Sequence, residues 1–236
     1  MKQVLFSVIV PVYNKGRVLR ETLNSIRNQS FKDFECIIID DGSTDDSYDI
    51  SMEYCKRGEN FFISKYENAG VGTARNRGIE QAKGQYIVFV DADDIIEDSL
   101  LSKLSSYISE FKDIDLIRYQ CKVVHYKQVK EPEKLNYHFQ TEQLMTGSEA
   151  LRKWAIPNKR FAVSWLYCIK KSIFDENNIK FPQGIYEDFA TIPLVIATSN
   201  KVICIDYTGY NYMHRVNETS LMNRRYKWIW KNERIH

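Results

Sequence analysis

Apolar runs and amphipathic segments alternate along the first half of the chain. The apolar runs are rich in β-branched and aromatic residues, and four of them lie at residues 4–12, 34–39, 61–66 and 86–90. Nearly continuous apolar character over so few residues is typical of strands in a parallel sheet that is buried on both faces. The segments between them repeat apolar residues at helical spacing. This pattern predicts an α/β fold, with a Rossmann-like, mostly parallel sheet flanked by helices.

The second half of the chain is less regular. Strands are expected at residues 116–126, 162–169 and 201–206, and helices at residues 148–154, 174–179 and 188–199. Residues 127–143 are polar and charged, which indicates a long excursion between elements. A polar, aromatic segment at residues 210–220 is expected to be a loop, and residues 224–234 are expected to form a basic helix.

Composition restricts the class of protein. Of the 236 residues, 44% are hydrophobic and 27% are charged, which is the balance of a folded domain. The net charge of +2 argues against a dedicated nucleic-acid-binding protein, so no nucleic-acid partner is expected. The five cysteines are scattered, and neither disulfides nor a zinc site is predicted. Without a signal peptide or an apolar run of membrane-spanning length, a cytoplasmic location is expected.

Carboxylates follow the predicted strands where ligands bind to sheets of this kind. The densest group is Asp91-Ala92-Asp93-Asp94, directly after the fourth apolar run. Closely spaced carboxylates repel one another unless a cation intervenes, and their oxygen atoms suit Mg²⁺ or Mn²⁺ bound together with substrate phosphates. The alternative is a solvated acidic loop that caps the following helix. The neighbouring strand ends favour a site for a metal and a diphosphate.

The second predicted strand ends in Asp40-Asp41-Gly42-Ser43-Thr44-Asp45. A carboxylate there could accept a hydrogen bond from a uracil N3–H or from a ribose hydroxyl. The same residue types form turns and helix N-caps, and both roles can hold at once. Pro11 is expected to end the first strand because it cannot donate to the ladder, and the aromatic Tyr13 follows it.

A glycine-containing segment begins the third predicted helix, and it reads Gly70-Val71-Gly72-Thr73-Ala74-Arg75-Asn76-Arg77-Gly78. Glycines permit close backbone approach, a helix N-terminus attracts anions, and Arg75 adds a cation for a phosphate. An ordinary helix start would show the same pattern. The segment is neither a dinucleotide-binding G-x-G-x-x-G motif nor a P-loop, since Arg75 and Asn76 stand at the end of the first pattern.

Two segments of the second half carry further candidates. Glu187 and Asp188 open an apolar helix, where a carboxylate is either a favourable cap or a general base that reaches the site. The segment at 210–220, which includes His214 and Arg215, could close over a diphosphate or an acceptor, or could be an ordinary exposed loop.

In their order and spacing, four motifs resemble those of family 2 glycosyltransferases with the GT-A fold. They are Ser7-Val8-Ile9-Val10-Pro11-Val12-Tyr13-Asn14, Asp40-Asp41-Gly42-Ser43-Thr44-Asp45, Gly70-x-x-x-Ala74-Arg75-Asn76-x-Gly78 and Asp91-Ala92-Asp93-Asp94. The match covers about residues 4–110, and Glu187-Asp188 and residues 212–220 extend it more loosely.

The resemblance implies inverting, metal-assisted transfer of a sugar from a nucleotide-sugar donor, expected to be a UDP-sugar, to an acceptor hydroxyl. Asp93 would ligate a Mg²⁺ or Mn²⁺ cofactor, and Asp188 would be the base that deprotonates the acceptor. The donor-binding residues that the resemblance implies are Pro11, Tyr13, Asp40, Asp41, Arg75 and Asp91. The candidate loop contacts are Glu187, His214 and Arg215.

The resemblance also implies how the chain is divided. Residues 1–112 would hold the donor, residues 113–222 would hold the acceptor as part of the same domain, and residues 223–236 would be a basic helix that relatives commonly continue. The acceptor would be a saccharide or a lipid-linked glycan, as in surface polysaccharide synthesis. Residues 215–236 carry six Arg or Lys against two Glu, so peripheral contact with an anionic inner membrane face is expected.

Two other classes of function stay open on the sequence. A nucleotidyltransferase that makes sugar nucleotides would carry a glycine-rich, basic loop after the first strand, and Tyr13-Asn14-Lys15-Gly16 offers only a trace of one. A non-catalytic protein that binds nucleotide sugars would bind UDP with a divalent cation and transfer nothing.

Overall fold

The computed structural model describes residues 4–57, 60–125, 133–134, 142–155, 161–184 and 186–215. The strands are β1 (Phe6–Val12), β2 (Phe34–Asp40), β3 (Phe61–Lys65), β4 (Tyr86–Phe89), β5 (Ile95–Ile96), β6 (Leu116–His125), β7 (Glu133–Lys134), β8 (Tyr167–Lys170) and β9 (Val202–His214). The α-helices are α1 (Gly16–Arg27), α2 (Ser47–Arg57), α3 (Val71–Gln81), α4 (Leu100–Glu110), α5 (Gly147–Trp154), α6 (Lys171–Glu176) and α7 (Glu187–Thr198). Within the described ranges, the strands form one sheet in the order β3-β2-β1-β4-β8-β6-β9-β5, with β7 paired to β6.

The first half of the sheet is parallel, as the apolar pattern predicts. β1 pairs in parallel with β2 and β4, and β2 pairs in parallel with β3. Every residue of β1 and β2 is buried, because helices cover both faces of the sheet. β1 does not end at Pro11, which pairs with Ile39. β4 pairs with β1 only through Ile9, so one edge of β1 is open beyond that residue and tolerates a proline.

The second half joins the same sheet through an antiparallel strand. β8 lies antiparallel to β4 and to β6, while β6 and β9 are parallel. The α/β fold with flanking helices is therefore confirmed, and the second half adds antiparallel pairs to it. The predicted strand at 162–169 is wrong over most of its length, because Ser164–Leu166 form a 3₁₀ turn before β8. The predicted helix at 174–179 begins earlier, as α6.

The expected loop at 210–220 is also wrong for its first residues, since Tyr210 to His214 complete β9. Tyr210 and Tyr212 lie two positions apart on this strand and therefore share one face of the sheet. Both rings stack on Trp165, which favours the extended conformation. The predicted basic helix, most of the 127–143 excursion and the membrane contact expected of the C-terminal residues lie outside the described residues.

Helix packing on the parallel half positions the site. Leu19, Leu23 and Ile26 of α1 are fully buried, as their spacing predicts. α3 lies close to β1 at Gly78, where a Cβ would come within 2.4 Å of Ile9 Cγ2, so only glycine fits. All five cysteines are free, and four of them are buried. Over the described part of the chain, no helix is both long enough and apolar enough to cross a bilayer.

Candidate active site

The loops after β1 and β2 are bonded to one another at the carboxyl edge of the sheet. The Lys15 N–H donates to Ser47 Oγ at 2.8 Å, and the Gly16 N–H donates to Asp45 Oδ2 at 3.0 Å. These bonds hold the β1 loop in place, and its Tyr13 side chain is 49% exposed directly after the strand. An exposed aromatic ring on a fixed loop is available to stack on a planar ligand such as a base.

The two carboxylates after β2 have different surroundings. The Asp41 carboxylate accepts hydrogen bonds from the Gly70 N–H at 2.8 Å and the Ala69 N–H at 3.0 Å. Arg77 pairs with Asp41 at 3.1 Å. Asp40 is fully buried and accepts from the Ser43 N–H at 2.7 Å, which is the turn role that the sequence left open. Asp41 therefore lies between the β2 end and the start of α3, while Asp40 shapes the turn beneath it.

Arg75 joins the two halves of the chain. Its guanidinium is buried, with 3% of the side chain exposed, and it pairs with Asp91 at 3.1 Å, Glu187 at 3.0 Å and Asp188 at 2.9 Å. Gly72 permits helix α3 to lie close to the chain at Pro182, because a Cβ at Gly72 would lie 2.5 Å from the Pro182 carbonyl oxygen. Arg75 is thus a fixed counter-ion for three carboxylates, and no phosphate is needed to explain its burial.

The neighbouring Asn76 strengthens the same junction. Its side-chain amide donates to the Phe181 carbonyl at 2.8 Å and accepts from the Phe181 N–H at 2.9 Å. This reciprocal pair fixes the chain shortly before α7 begins. The Gly70 to Gly78 motif therefore places α3 against the second half of the protein as well as against the sheet.

The first turn of α7 presents the candidate base. Both oxygens of Asp188 are bonded, Oδ1 to Arg75 and Oδ2 to the Ser164 N–H at 3.0 Å, and 16% of the side chain stays exposed. A carboxylate at this position also interacts favourably with the N-terminal end of the helix dipole. Asp188 is thereby held in one orientation while it remains open to solvent.

The acidic turn after β4 divides into residues that face the site and one that does not. Burial raises the pKa of Asp91 to about 6, although Arg75 opposes the shift. Asp93 forms an ion pair with Lys15. Asp94 is buried and accepts from the Tyr210 hydroxyl and the Met213 N–H, each at 2.8 Å, and burial raises its pKa well above the usual range. Only Asp91 and Asp93 are therefore available to a ligand.

The donor set of this turn fits a magnesium or manganese ion that shares its ligands with a substrate. Within the described ranges, no group of three or more His, Cys, Asp and Glu side chains is arranged to hold a metal ion. Mg²⁺ is commonly bound by one or two carboxylates plus substrate phosphates and waters, which is what Asp91 and Asp93 can supply. The partly exposed Asp93 carboxylate already attracts a cationic group, the Lys15 ammonium.

The end of β9 reaches the same turn. Arg215 donates to the Asp93 carbonyl oxygen and pairs with Glu21 at 2.9 Å, so it braces the backbone of the turn. His214 lies beside His125, with ring centroids 5.2 Å apart. Of the two candidate loop contacts in the 210–220 segment, the structure thus brings Arg215 to the acidic turn, whereas His214 belongs to a strand pair.

Several residues of the site have no role in the sequence-based prediction. Lys15 directly follows the motif that ends at Asn14, and Arg77 lies within the Gly70 to Gly78 motif, so the charge of each was the available signal. Tyr210 lies in the segment expected to be a loop. Ser164 contributes only a backbone N–H, for which a sequence carries no signal.

Comparison with known proteins identifies the family to which this chain belongs. The family model for glycosyl transferase family 2 matches residues 7–177. Glycosyltransferase GlyG of Streptococcus pneumoniae is 30% identical over 97% of this chain and 76% of its own length. The minor teichoic acid biosynthesis protein GgaB of Bacillus subtilis is 29% identical over 92% of this chain and 24% of its own length.

Solved structures agree with the family model. The structure of S. aureus TarS 1-349 in complex with UDP-GlcNAc superposes with a TM-score of 0.71 at 26% identity, over 91% of this chain and 60% of that one. The chain therefore belongs to glycosyl transferase family 2 and is a glycosyltransferase with the GT-A fold. It spans about three quarters of the length of GlyG and three fifths of that TarS chain.

Proposed function

We propose that this protein transfers a sugar from a UDP-sugar to an acceptor hydroxyl with inversion at the anomeric carbon, assisted by Mg²⁺ or Mn²⁺. The observation that carries the proposal is the Arg75 junction, which brings the donor-side Asp91 and the candidate base Asp188 to one guanidinium. A transferase needs its donor and its base within one site, and this contact supplies that proximity.

The donor would lie along the carboxyl edge of the parallel strands. The exposed ring of Tyr13 would stack on the base, Pro11 would support the start of that loop, and Asp41 would accept a hydrogen bond from the base. Asp40 would act by shaping the turn that carries Asp41. The complex of TarS with UDP-GlcNAc, a structural neighbour, supports uridine as the nucleoside.

Asp91 and Asp93 would hold the divalent cation together with the donor diphosphate. The cation, when bound, neutralises negative charge that develops on the diphosphate leaving group. Lys15 would give up its ion pair with Asp93 at this stage and would be free to face a phosphate. Arg75 would keep its place, because its three carboxylate partners hold it.

Asp188 would act as the general base. Its carboxylate would accept the proton of the acceptor hydroxyl while the hydroxyl oxygen forms a bond to the anomeric carbon. The bond from that carbon to the diphosphate oxygen breaks on the opposite side, which inverts the configuration and releases UDP. Arg75 and the Ser164 N–H would orient the Asp188 carboxylate. Glu187 would form a second ion pair with the same guanidinium.

The acceptor would be a saccharide or a lipid-linked glycan in surface polysaccharide synthesis, at the cytoplasmic face of the membrane. The similarity to GgaB, a protein of minor teichoic acid biosynthesis, supports a cell-surface polymer. Saccharide hydroxyls and lipid-linked glycans both offer the nucleophile that the proposed base requires.

The test combines binding with transfer. UDP binding by calorimetry should require Mn²⁺ and should be lost with chelator, and a panel of UDP-sugars should release UDP when glycan acceptors are added. Asp188→Asn should keep UDP binding and lose release by about a hundredfold or more. Asp113→Asn is the matched control, since 82% of its side chain is exposed and it lies on an αL turn that suits asparagine.

Two results would contradict the proposal. Release of UDP by Asp188→Asn at the wild-type rate would exclude Asp188 as the base. Binding of UDP with equal affinity in Mn²⁺ and in chelator would exclude the metal-assisted arrangement.

A further inference from the structure

One buried hydroxyl holds both ends of the acidic turn. Tyr210 of β9 is fully buried, and its hydroxyl accepts from the Asp91 N–H at 3.1 Å and donates to Asp94 Oδ2 at 2.8 Å. The Met213 N–H donates to Asp94 Oδ1 at 2.8 Å, so the same strand holds both oxygens of Asp94. Asp93, which faces outward, lies between the two residues that Tyr210 fixes.

The ring of the same tyrosine reaches the other side of the site. It stacks on Trp165, with ring centroids 4.5 Å apart and an interplanar angle of 20°. Trp165 directly follows Ser164, whose N–H donates to the candidate base Asp188 at 3.0 Å. The Tyr119 hydroxyl donates to the Trp165 carbonyl at 2.8 Å and so helps to fix the 3₁₀ turn at Ser164–Leu166.

We propose that Tyr210 is a positioning residue that holds the Asp91–Asp94 turn through its hydroxyl and the turn that orients Asp188 through its ring. The inference rests on the proposed function and adds a residue that touches neither the donor nor the acceptor. Its hydroxyl sets where the donor-side carboxylates lie, and its stack on Trp165 sets where the base lies relative to them.

The hydroxyl is the part that can be removed without disturbing the ring. Tyr210→Phe keeps the stack on Trp165 and leaves the Asp91 N–H and the Asp94 carboxylate each short of one buried partner. Buried groups without a partner are unfavourable, so the turn should shift toward solvent, and Asp93 should shift with it. A role in filling the core alone would leave the turn where it is.

The experiment measures ligand binding and turn mobility separately. Tyr210→Phe should bind UDP in Mn²⁺ about tenfold more weakly than wild type, as the loss of about one buried hydrogen bond would give. Without ligand, the Asp91 amide should exchange with solvent faster in the variant. Tyr86→Phe is the matched control, because it loses a 2.8 Å hydrogen bond to the Ile114 carbonyl at the opposite end of β4.

Tyr86→Phe should lower the thermal midpoint while UDP affinity and Asp91 amide exchange stay at wild-type values. Asp94→Asn provides a second test that keeps the shape of the side chain. Because both substitutions disturb the same hydrogen bond, the double variant Tyr210→Phe with Asp94→Asn should weaken UDP binding by much less than the product of the two single effects.

The outcomes separate this inference from the proposed function. Wild-type UDP affinity and wild-type Asp91 exchange in Tyr210→Phe, with only a lower thermal midpoint, would overturn the positioning role. Independent effects of Tyr210→Phe and Asp94→Asn would also overturn it. A wild-type protein that does not bind UDP would overturn the proposed function, and the exchange of the Asp91 amide would still decide whether Tyr210 holds the turn.

Discussion

The guanidinium of Arg75 is buried against three carboxylates, and Arg75→Met tests how far they depend on it. Methionine keeps much of the length and apolar volume of the side chain and removes the charge. The variant leaves Asp91, Glu187 and Asp188 close together without a cation. Removing one member of a buried ion pair costs about 3–5 kcal/mol. The carboxylates are partly exposed and partly hydrated, so we expect the lower end, about 3 kcal/mol at neutral pH.

The loss should depend on pH in a defined direction. Burial already raises the pKa of Asp91 to about 6, and without Arg75, which opposes that shift, the folded-state pKa of Asp91 rises further above its unfolded value. Groups with a raised pKa bind more protons in the folded state, so stability rises as pH falls. Urea unfolding should therefore show a large difference between Arg75→Met and wild type at about pH 8 and a clearly smaller one at about pH 5.

The matched control is a second arginine with a carboxylate partner. Arg20 forms a two-pronged pair with Glu53, with both contacts at 2.8 Å, but 49% of its side chain is exposed. Water and salt screen such pairs, so Arg20→Met should change the free energy of unfolding very little. The reasoning is refuted if the two variants lose similar stability, or if the loss in Arg75→Met does not shrink as the pH falls.

Three further predictions concern the same edge of the sheet. Since the pKa of Asp91 is raised to about 6, its ionisation removes stability between about pH 4 and pH 6, so Asp91→Asn should raise the urea midpoint at neutral pH and change it little near pH 4. Tyr13→Leu should weaken UDP binding in calorimetry by about tenfold, because stacking on a base is worth roughly 1–3 kcal/mol. Lys15→Met should tighten Mn²⁺ binding to the nucleotide-free protein, measured by electron paramagnetic resonance, because it removes a cation that competes for Asp93.

The sequence allowed the carboxyl edge of the parallel strands, where we propose that the donor binds, to be predicted because its signals are local. Each apolar run identified a strand, and parallel strands bring their carboxyl ends to the same edge. Tyr13, Asp41 and Asp91 could therefore be placed together before their contacts were known. The same reasoning could not separate Asp93 from Asp94, since which carboxylate turns inward depends on Tyr210, which is 116 positions away from Asp94 in the chain.

The second half resisted prediction for physical reasons. Its strand β9 carries Tyr210-Asn211-Tyr212-Met213-His214, where polar and aromatic residues mask the alternation of a half-buried strand. The extended conformation comes from distant partners, the Ile95–Ile96 strand and the Trp165 ring. Tertiary contacts of this kind override local pattern. The bond from the Ser164 N–H to Asp188 is a backbone contact, which residue identity cannot encode.

The contacts of Arg75 also constrain how donor and acceptor chemistry can vary in this protein. One guanidinium pairs with Asp91 on the proposed donor side and with Asp188 on the proposed acceptor side, so a change of charge on either side alters the field on the other. Neutralising Asp91 leaves Arg75 with two charged partners instead of three, so its pairing with Asp188 should strengthen. The effects of Asp91→Asn and Asp188→Asn on UDP release should therefore be non-additive, as expected for groups that share one partner. Substitutions that retune the acceptor side without weakening donor binding should be confined to positions that do not contact Arg75.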